Sequence, residues 1–315
     1  MSDVLIADIG ATNSRFALIG ADGRPDRIIS FADDGVESSE AAIARYLQLI
    51  GKQPSAAVLA VAAPVDGDVI AMTNRDWRFR LSALAKRFHF SQVRALNDFE
   101  AAAWSLLRLA PADTRPLGSA KKPHPGTKVV FGPGTGLGVA ALVHTEHGWC
   151  AVATEGGHTA FGAASNEEEP IFARLRAECR TVSAECVLSG PGLERLHRAV
   201  HGSTKKLTTE AIVKYAKEGE EAESATVALF ARLLGRFAGD LALMFKAFGG
   251  VYIAGGVAQR LGAALDGQAF RAAFEAHPPY EKLLQPIPTT LITLEEPGLL
   301  GCAVLAESML AGTKA

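Results

Sequence analysis

Short apolar runs alternate with helical periodicities along the first hundred residues. Residues 4–8, "VLIAD", and 14–20, "SRFALIG", read as paired strands around a glycine-containing tip. Residues 23–31, "GRPDRIISF", read as another strand, approached through a proline turn. "SSEAAIARYLQLIG", residues 38–51, reads as a helix with Ser38 or Ser39 as N-cap and Gly51 as its stop. The unbroken run "SAAVLAVAAPV", residues 55–65, has strand length and predicts a strand covered on both faces. A helix (81–89), a strand (92–98) and a helix (99–109) follow. That order predicts an α/β domain with a mixed sheet.

Residues 109–128, "LAPADTRPLGSAKKPHPGTK", are rich in proline, glycine and charge and mark the best domain boundary. A new strand, "KVVFG", begins at residue 128. Residues 225–248 form a long helical pattern in which Gly235 and Gly239, four apart, let another helix approach closely. "GGVYIAGGV" is a strand entering a glycine turn, and a helix at 298–310 closes the pattern. One internal echo stands out. "LIADIGATNSRFAL" is answered by "VVFGPGTGLGVAAL", and both read strand, Gly/Thr tip, strand. The repeat predicts two similar half-domains facing one cleft.

With 315 residues, the chain has room for two domains. The formal charge of −2 gives no global basic excess, so neither nucleic acid nor an acidic membrane surface is an expected partner. Lys121-Lys122 and Lys205-Lys206 read as solvated loop positions. No secretory signal pattern is visible, and no uncharged apolar run reaches membrane-spanning length. Cys150, Cys179, Cys186 and Cys302 form no CxxC pair, which argues against a zinc site or a disulfide framework. Reduced, buried thiols in a cytoplasmic enzyme are the expectation.

Candidate chemistry sits at the ends of the strands. Asp8 closes the first strand, beside Gly10 and Ala11 and ahead of Thr12 and Asn13. It is either a turn-capping residue or part of a phosphate or metal site. "GPGTGLG" sets glycines at 132, 134, 136 and 138, and a strand follows. A dinucleotide fingerprint needs a helix there, and no P-loop motif is present. The remaining readings are an ordinary glycine turn or a backbone cradle for phosphate, with Thr135 adding a hydroxyl. Asn97 and Asp98 stand between a strand and a helix. That is a standard N-cap position, and also where α/β enzymes place reacting groups. "TEGGH" sets Glu155 and His158 on a glycine loop suited to a polyhydroxylated ligand. Glu185 lies near a helix start, where the dipole alone favours a carboxylate.

Together these stretches resemble bacterial glucokinases of the hexokinase, actin-like superfamily. The matching segments are "DIGATNSRF", "AMTNRDW", "LNDFEA", "GPGTGLGVA", "EGGH", "VSAECVLSGPGL", "GGVYIAGGV", "FRAAFE" and "PGLLG", in family order over nearly the whole chain. The resemblance implies two actin-like, ribonuclease-H-like α/β domains with mixed sheets flanking an interdomain cleft. The smaller would comprise residues 1–108 plus 299–315, the larger 109–298. It implies ATP-dependent phosphorylation of glucose at the 6-hydroxyl, with ATP and Mg²⁺ as cofactors, in a cytoplasmic homodimer. By likeness, Asp98 is the general base. Asn97, Asp98, Glu155, His158 and Glu185 bind the sugar. Asp8, Gly10, Ala11, Thr12, Asn13, Gly132, Gly134, Thr135 and Gly136 serve the phosphates, with Asp8 near Mg²⁺ through water. Gly255 and Gly256 lie near the adenosine.

Two departures from the family pattern stand out. Ala11 replaces a glycine of D-x-G-G-T; if that position needs positive φ, alanine costs about 1 kcal/mol or more. Ala160 replaces the aspartate of E-G-G-H-x-D-F, a carboxylate suited to holding the loop or His158. Two other readings follow: a kinase for another hexose, and a sugar sensor that has lost turnover. Asp98 argues against the sensor.

Overall fold

The computed structural model describes residues 4–10, 13–32, 35–72, 76–118, 121–204 and 206–312. The chain divides into two compact units, residues 1–109 with 295–315, and residues 110–294.

Unit 1 begins with an antiparallel run, β1 (Val4–Ile9), β2 (Asn13–Ile19) and β3 (Pro25–Ala32). Helix α1 (Ser39–Ile50) follows; the Ser38 hydroxyl accepts from Ala41 N–H, and Gly51 ends the helix at φ 62°. Strand β4 (Ala56–Val61) is buried along its whole length, as an apolar run covered on both faces should be. A hairpin of β5 (Val69–Ala71) and β6 (Arg78–Arg80) leads into α2 (Leu81–Phe88), β7 (Gln92–Asn97) and α3 (Asp98–Ser105). The sheet order is β3-β2-β1-β4-β7, with β1, β4 and β7 parallel.

Alternate residues of β1 and β4 feed two cores. Leu5, Ala7, Ile9, Leu59 and Val61 pack with Ile43 and Tyr46 of α1. Val4, Ile6, Val58 and Ala60 pack with Ala101 of α3 and with Leu299, Cys302, Ala303 and Ala306 of the C-terminal helix, Pro297–Gly312. That helix meets α3 at Gly301, where a Cβ would collide with the Ala101 carbonyl.

Unit 2 opens with a strand inside the segment read as the domain boundary. β8 (Thr114–Pro116) pairs antiparallel at a sheet edge. Proline is tolerated there, and three residues are too short to show alternation. Then come β9 (Lys128–Pro133), β10 (Leu137–Thr145) and β11 (Gly148–Thr154). Helices α4 (Glu169–Glu178), α5 (Ala184–Val187), α6 (Gly190–His201), α7 (Thr209–Glu218) and α8 (Glu221–Phe245) precede β12 (Gly250–Ile253). After it come α9 (Gly256–Leu261), α10 (Gly267–Glu275), α11 (Glu281–Leu284) and β13 (Thr289–Ile292). The sheet order is β11-β10-β9-β12-β13-β8.

The sequence echo is therefore a structural repeat. β9, β10 and β11 correspond to β1, β2 and β3, and β12 and β13 add in parallel as β4 and β7 do. Gly235 and Gly239 of α8 admit α10: a Cβ at Gly235 would collide with the Phe270 carbonyl, and one at Gly239 would lie 2.7 Å from that of Phe274.

Candidate active site

In unit 1 the parallel strands β1, β4 and β7 end at one edge. Ile9 is in register with Val61, and Val61 with Asn97. Two strand spacings, about 10 Å, separate the backbones of Ile9 and Asn97. Asp8 and Asp98 thus stand at the carboxyl edge of the same sheet, where α/β enzymes gather reacting groups.

Asn97 is the N-cap of α3, its side-chain oxygen accepting from Phe99 N–H (2.9 Å) and Glu100 N–H (3.4 Å). The capping task falls to Asn97, so a second role is open to its neighbour. Asp98 is half-buried, and its Oδ1 lies 2.9 Å from the Phe99 N–H. The Asn97 amide donates to the Ala63 carbonyl at 3.4 Å. An amide has two hydrogens, and a single bond to Ala63 is seen among the described residues.

Burial pushes the Asp8 carboxyl above its usual range, and the cross-strand neighbour Arg15 pulls it back. Arg15 is itself ion-paired with Glu296. Burial raises Glu296 to about 7, opposed by Arg15 and reinforced by the charges of Asp8 and Glu295. Two carboxylates thus compete for one guanidinium, which leaves Asp8 under-compensated. Backbone also crowds Asp8, since a Cβ at Gly298 would lie 2.8 Å from its Oδ2. No cluster of three metal-binding side chains occurs among the described residues. Asp8 is a single carboxylate there, an oxygen ligand of the kind hard cations take. Arg15 and Glu296 are absent from the candidates read in the sequence. The pairing of Asp8 with Arg15 around a hairpin was the available signal for the first; Glu296, near the other end of the chain, offered none.

At the unit 1 tip, Gly10 N–H donates to the Asn13 carbonyl at 3.1 Å. Ala11 and Thr12 lie outside the described residues.

In unit 2 the tip between β9 and β10 forms without left-handed backbone at its glycines. Gly132, Gly134 and Gly136 do not adopt positive φ. Two of them are needed for close approach instead. A Cβ at Gly132 would lie 2.6 Å from the Ala254 carbonyl, and one at Gly136 2.5 Å from Glu185 Oε2. Positive φ occurs at Gly255 (86°), in the turn between β12 and α9. Gly190, the first residue of α6, donates its N–H to the Gly134 carbonyl (2.8 Å). A cavity of about 390 Å³ opens here, lined by Gly134, Thr135, Pro191, Gly256, Val257 and Arg260 among others. It has the size of a small-molecule site.

Glu185 ties this hairpin to the "TEGGH" loop. Its Oε2 accepts from Leu137 N–H at 2.9 Å, and its Oε1 lies 3.9 Å from His158 Nδ1. His158 Nε2 in turn lies 3.9 Å from Glu155 Oε2. Glu155 and His158 are more than half exposed, and Glu185 less so. Three polar side chains thus converge with open faces, beyond hydrogen-bonding distance of one another. That spacing leaves room for hydroxyl groups between them. The loop is seated by Gly157, where a Cβ would collide with the Leu137 carbonyl. The support missing with Ala160 comes from backbone. Ala160 bridges Ser183, Phe161 N–H donates to Val182 (2.9 Å), and Ala184 N–H donates to Thr159 (3.0 Å).

The thiols also depart from expectation. Cys302 alone is fully buried; Cys179 and Cys186 are half-buried, and Cys150 is exposed.

Duplicated mixed sheets, each with a tight hairpin at the strand ends, define a two-domain α/β protein of the actin-like ATPase class. A family model described as Glucokinase matches residues 5–309. The glucokinase of Yersinia enterocolitica (serotype O:8) is 39% identical over 99% of this chain and 98% of its own length. A "Bifunctional protein glk" of Paraburkholderia xenovorans is 39% identical over 97% of this chain, which spans about half (49%) of that relative. The crystal structure of a glucokinase from an Antarctic psychrotroph has a TM-score of 0.89 and 33% identity, covering 98% of this chain and 99% of that one. The chain belongs to the glucokinase family.

Proposed function

We propose that Asp98 is the general base of an ATP-dependent glucose kinase. The overall reaction is that of the family: ATP phosphorylates glucose to give glucose 6-phosphate and ADP, the first step of glycolysis. The observation that carries the site reading is the position of Glu185 between the hairpin and the polar loop. One oxygen fixes the start of β10 at the glycine hairpin, and the other faces His158 in the exposed polar loop.

In this reading Asp98 accepts the proton of the sugar 6-hydroxyl as it attacks the γ-phosphorus. Glu155, His158, Glu185 and Asn97 hold sugar hydroxyls, and ionised carboxylates are strong acceptors for that task. The glycine tip of Gly132, Gly134 and Gly136, with the Thr135 hydroxyl, receives the nucleotide phosphates. Gly10, Ala11, Thr12 and Asn13 serve the phosphates from unit 1. Adenosine occupies the cavity beside Gly255 and Gly256. Asp8 would hold Mg²⁺ through water; when bound, the ion offsets phosphate charge.

Among the described residues no helix is long and apolar enough to cross a membrane. By family likeness we place the enzyme in the cytoplasm as a homodimer, which light scattering on the purified chain tests.

Asp98→Asn is expected to lower kcat at least ~100-fold, with glucose affinity by calorimetry little changed. Near-normal turnover would refute the base assignment. Glucose-dependent ADP release with ATP and Mg²⁺ tests the activity itself, and glucose binding without ADP release would sink it.

A further inference from the structure

Arg260 and Glu210 meet at the wall of the cavity beside the glycine turn. Arg260 lies in α9 and Glu210 in the first turn of α7, so their ion pair bridges two helices. Arg260 Nη1 donates to Glu210 Oε1 at 2.8 Å. Each helix is anchored away from the pair. In α9, Gln259 Nε2 donates to the carbonyls of Ile292 (3.2 Å) and Leu294 (2.9 Å), and Val257, Ala258 and Leu261 are buried. At the start of α7, the Thr209 N–H and hydroxyl both donate to Glu194 Oε1, at 2.8 and 3.0 Å.

Fold stability does not account for the pair. The two side chains are 57% and 68% exposed, and an ion pair so open to water adds little. They are also the charged members of the cavity lining. Pro191 and Val257 present hydrocarbon beside them, and Gly134 and Gly256 present backbone. A Cβ at either glycine would meet nothing within 4 Å, so the space above both is open. The wall therefore combines apolar surface with one guanidinium. A guanidinium is a flat cation that stacks on aromatic faces. A hydrogen bond made along its edge, as Glu210 makes here, leaves its face for a ring.

We propose that the Glu210–Arg260 pair is the plate on which the nucleotide base stacks, which makes Arg260 a specificity-determining residue for purine over pyrimidine nucleotides. The inference rests on placing adenosine in this cavity. The two fused rings of a purine cover more of the plate than the single ring of a pyrimidine, so stacking ranks nucleotides by ring size. Glu210 acts through Arg260, as a positioning residue that holds the plane.

The test is calorimetric binding of ADP and CDP to the full chain. The unsubstituted protein should bind ADP more tightly. Arg260→Ala should lower the ADP-over-CDP preference about threefold. Both ligands carry the same diphosphate, so the lost positive charge cancels in that ratio. Glu210→Gln should lower the same ratio, and should add nothing when combined with Arg260→Ala. No preference in the unsubstituted protein, or a ratio unmoved by Arg260→Ala, would overturn the plate. Losses that add in the double variant would overturn the positioning role of Glu210. Gly256→Trp, which fills the open space, separates this proposal from the placement beneath it. If that variant binds ADP normally, adenosine lies elsewhere and the placement fails. If it blocks ADP while Arg260→Ala leaves the ratio unchanged, the cavity stands and the plate alone is wrong.

Discussion

Glu296 is the ionisable group whose environment most clearly reaches into the neutral pH range. Its carboxyl is raised from the ordinary 4.5 to about 7, burial being the largest cause. A carboxyl raised on folding binds its proton more tightly in the folded state. Stability therefore falls as pH rises from about 4.5 to about 7 and levels off above that. Glu296→Gln is expected to flatten this fall, read as Tm against pH; an unaltered slope would exonerate Glu296. Candidate residues could be picked out one at a time as polar groups at strand ends, helix starts and glycine loops, while their proposed roles came from the family resemblance. Asp8, Asp98, Glu155, His158 and Glu185 were of that kind. The Arg15–Glu296 pair was not, since its partners come from opposite ends of the chain and no local pattern joins them. The reason for Gly136 was likewise hidden: it makes room for Glu185 rather than for an unusual φ.

Among secondary-structure elements, long periodic stretches were the readable part. The α1 cap and stop fall where Ser38 and Gly51 predict. The exceptions have local causes. α3 stops at Ser105 although the apolar pattern runs to residue 109, because the next N–H groups bond three residues back: Leu106 to Ala103, Leu107 to Trp104 and Arg108 to Ser105. That tightening accompanies the pairing of Arg108 with Glu307 of the C-terminal helix and with the Gly23 carbonyl. β8 escaped notice because three residues with a proline carry no alternation. Where helices touch through glycine, a methyl has nowhere to go. Gly301→Ala is expected to cost about 1–3 kcal/mol, measured by urea unfolding, because α3 and the C-terminal helix must separate. A cost within error would mean the contact at Ala101 yields easily.

For the whole molecule, the chain leaves its first unit at residue 109 and returns at residue 295. One core of unit 1 is half-built until then, since Leu299, Cys302, Ala303, Leu305 and Ala306 cover Ile6, Val58 and Leu96. A chain ending at residue 294 is expected to lose hydrogen-exchange protection in β1, β4 and β7 while β9, β10 and β12 keep theirs. Protected β1 amides would show that the sheet holds without its C-terminal helix. The duplicated architecture was legible as an echo of two hairpins. Its full extent was not, because β4 and β12 share a place in the sheet rather than a sequence.

The forked engagement of Glu185 also carries a thermodynamic corollary. On the proposed sugar-binding role of the loop, one carboxylate touches the strand that leaves the glycine hairpin and faces that loop, so the free energies of the two ligands are linked. Whatever factor glucose applies to nucleotide affinity, the nucleotide must return to glucose. Calorimetric titration of a non-hydrolysable ATP analogue with and without glucose measures that factor. Glu185→Gln is expected to bring it close to one, by weakening the grip on Leu137 and the sugar side at once. A factor unmoved by the substitution would mean that the two sites communicate through some other part of the protein.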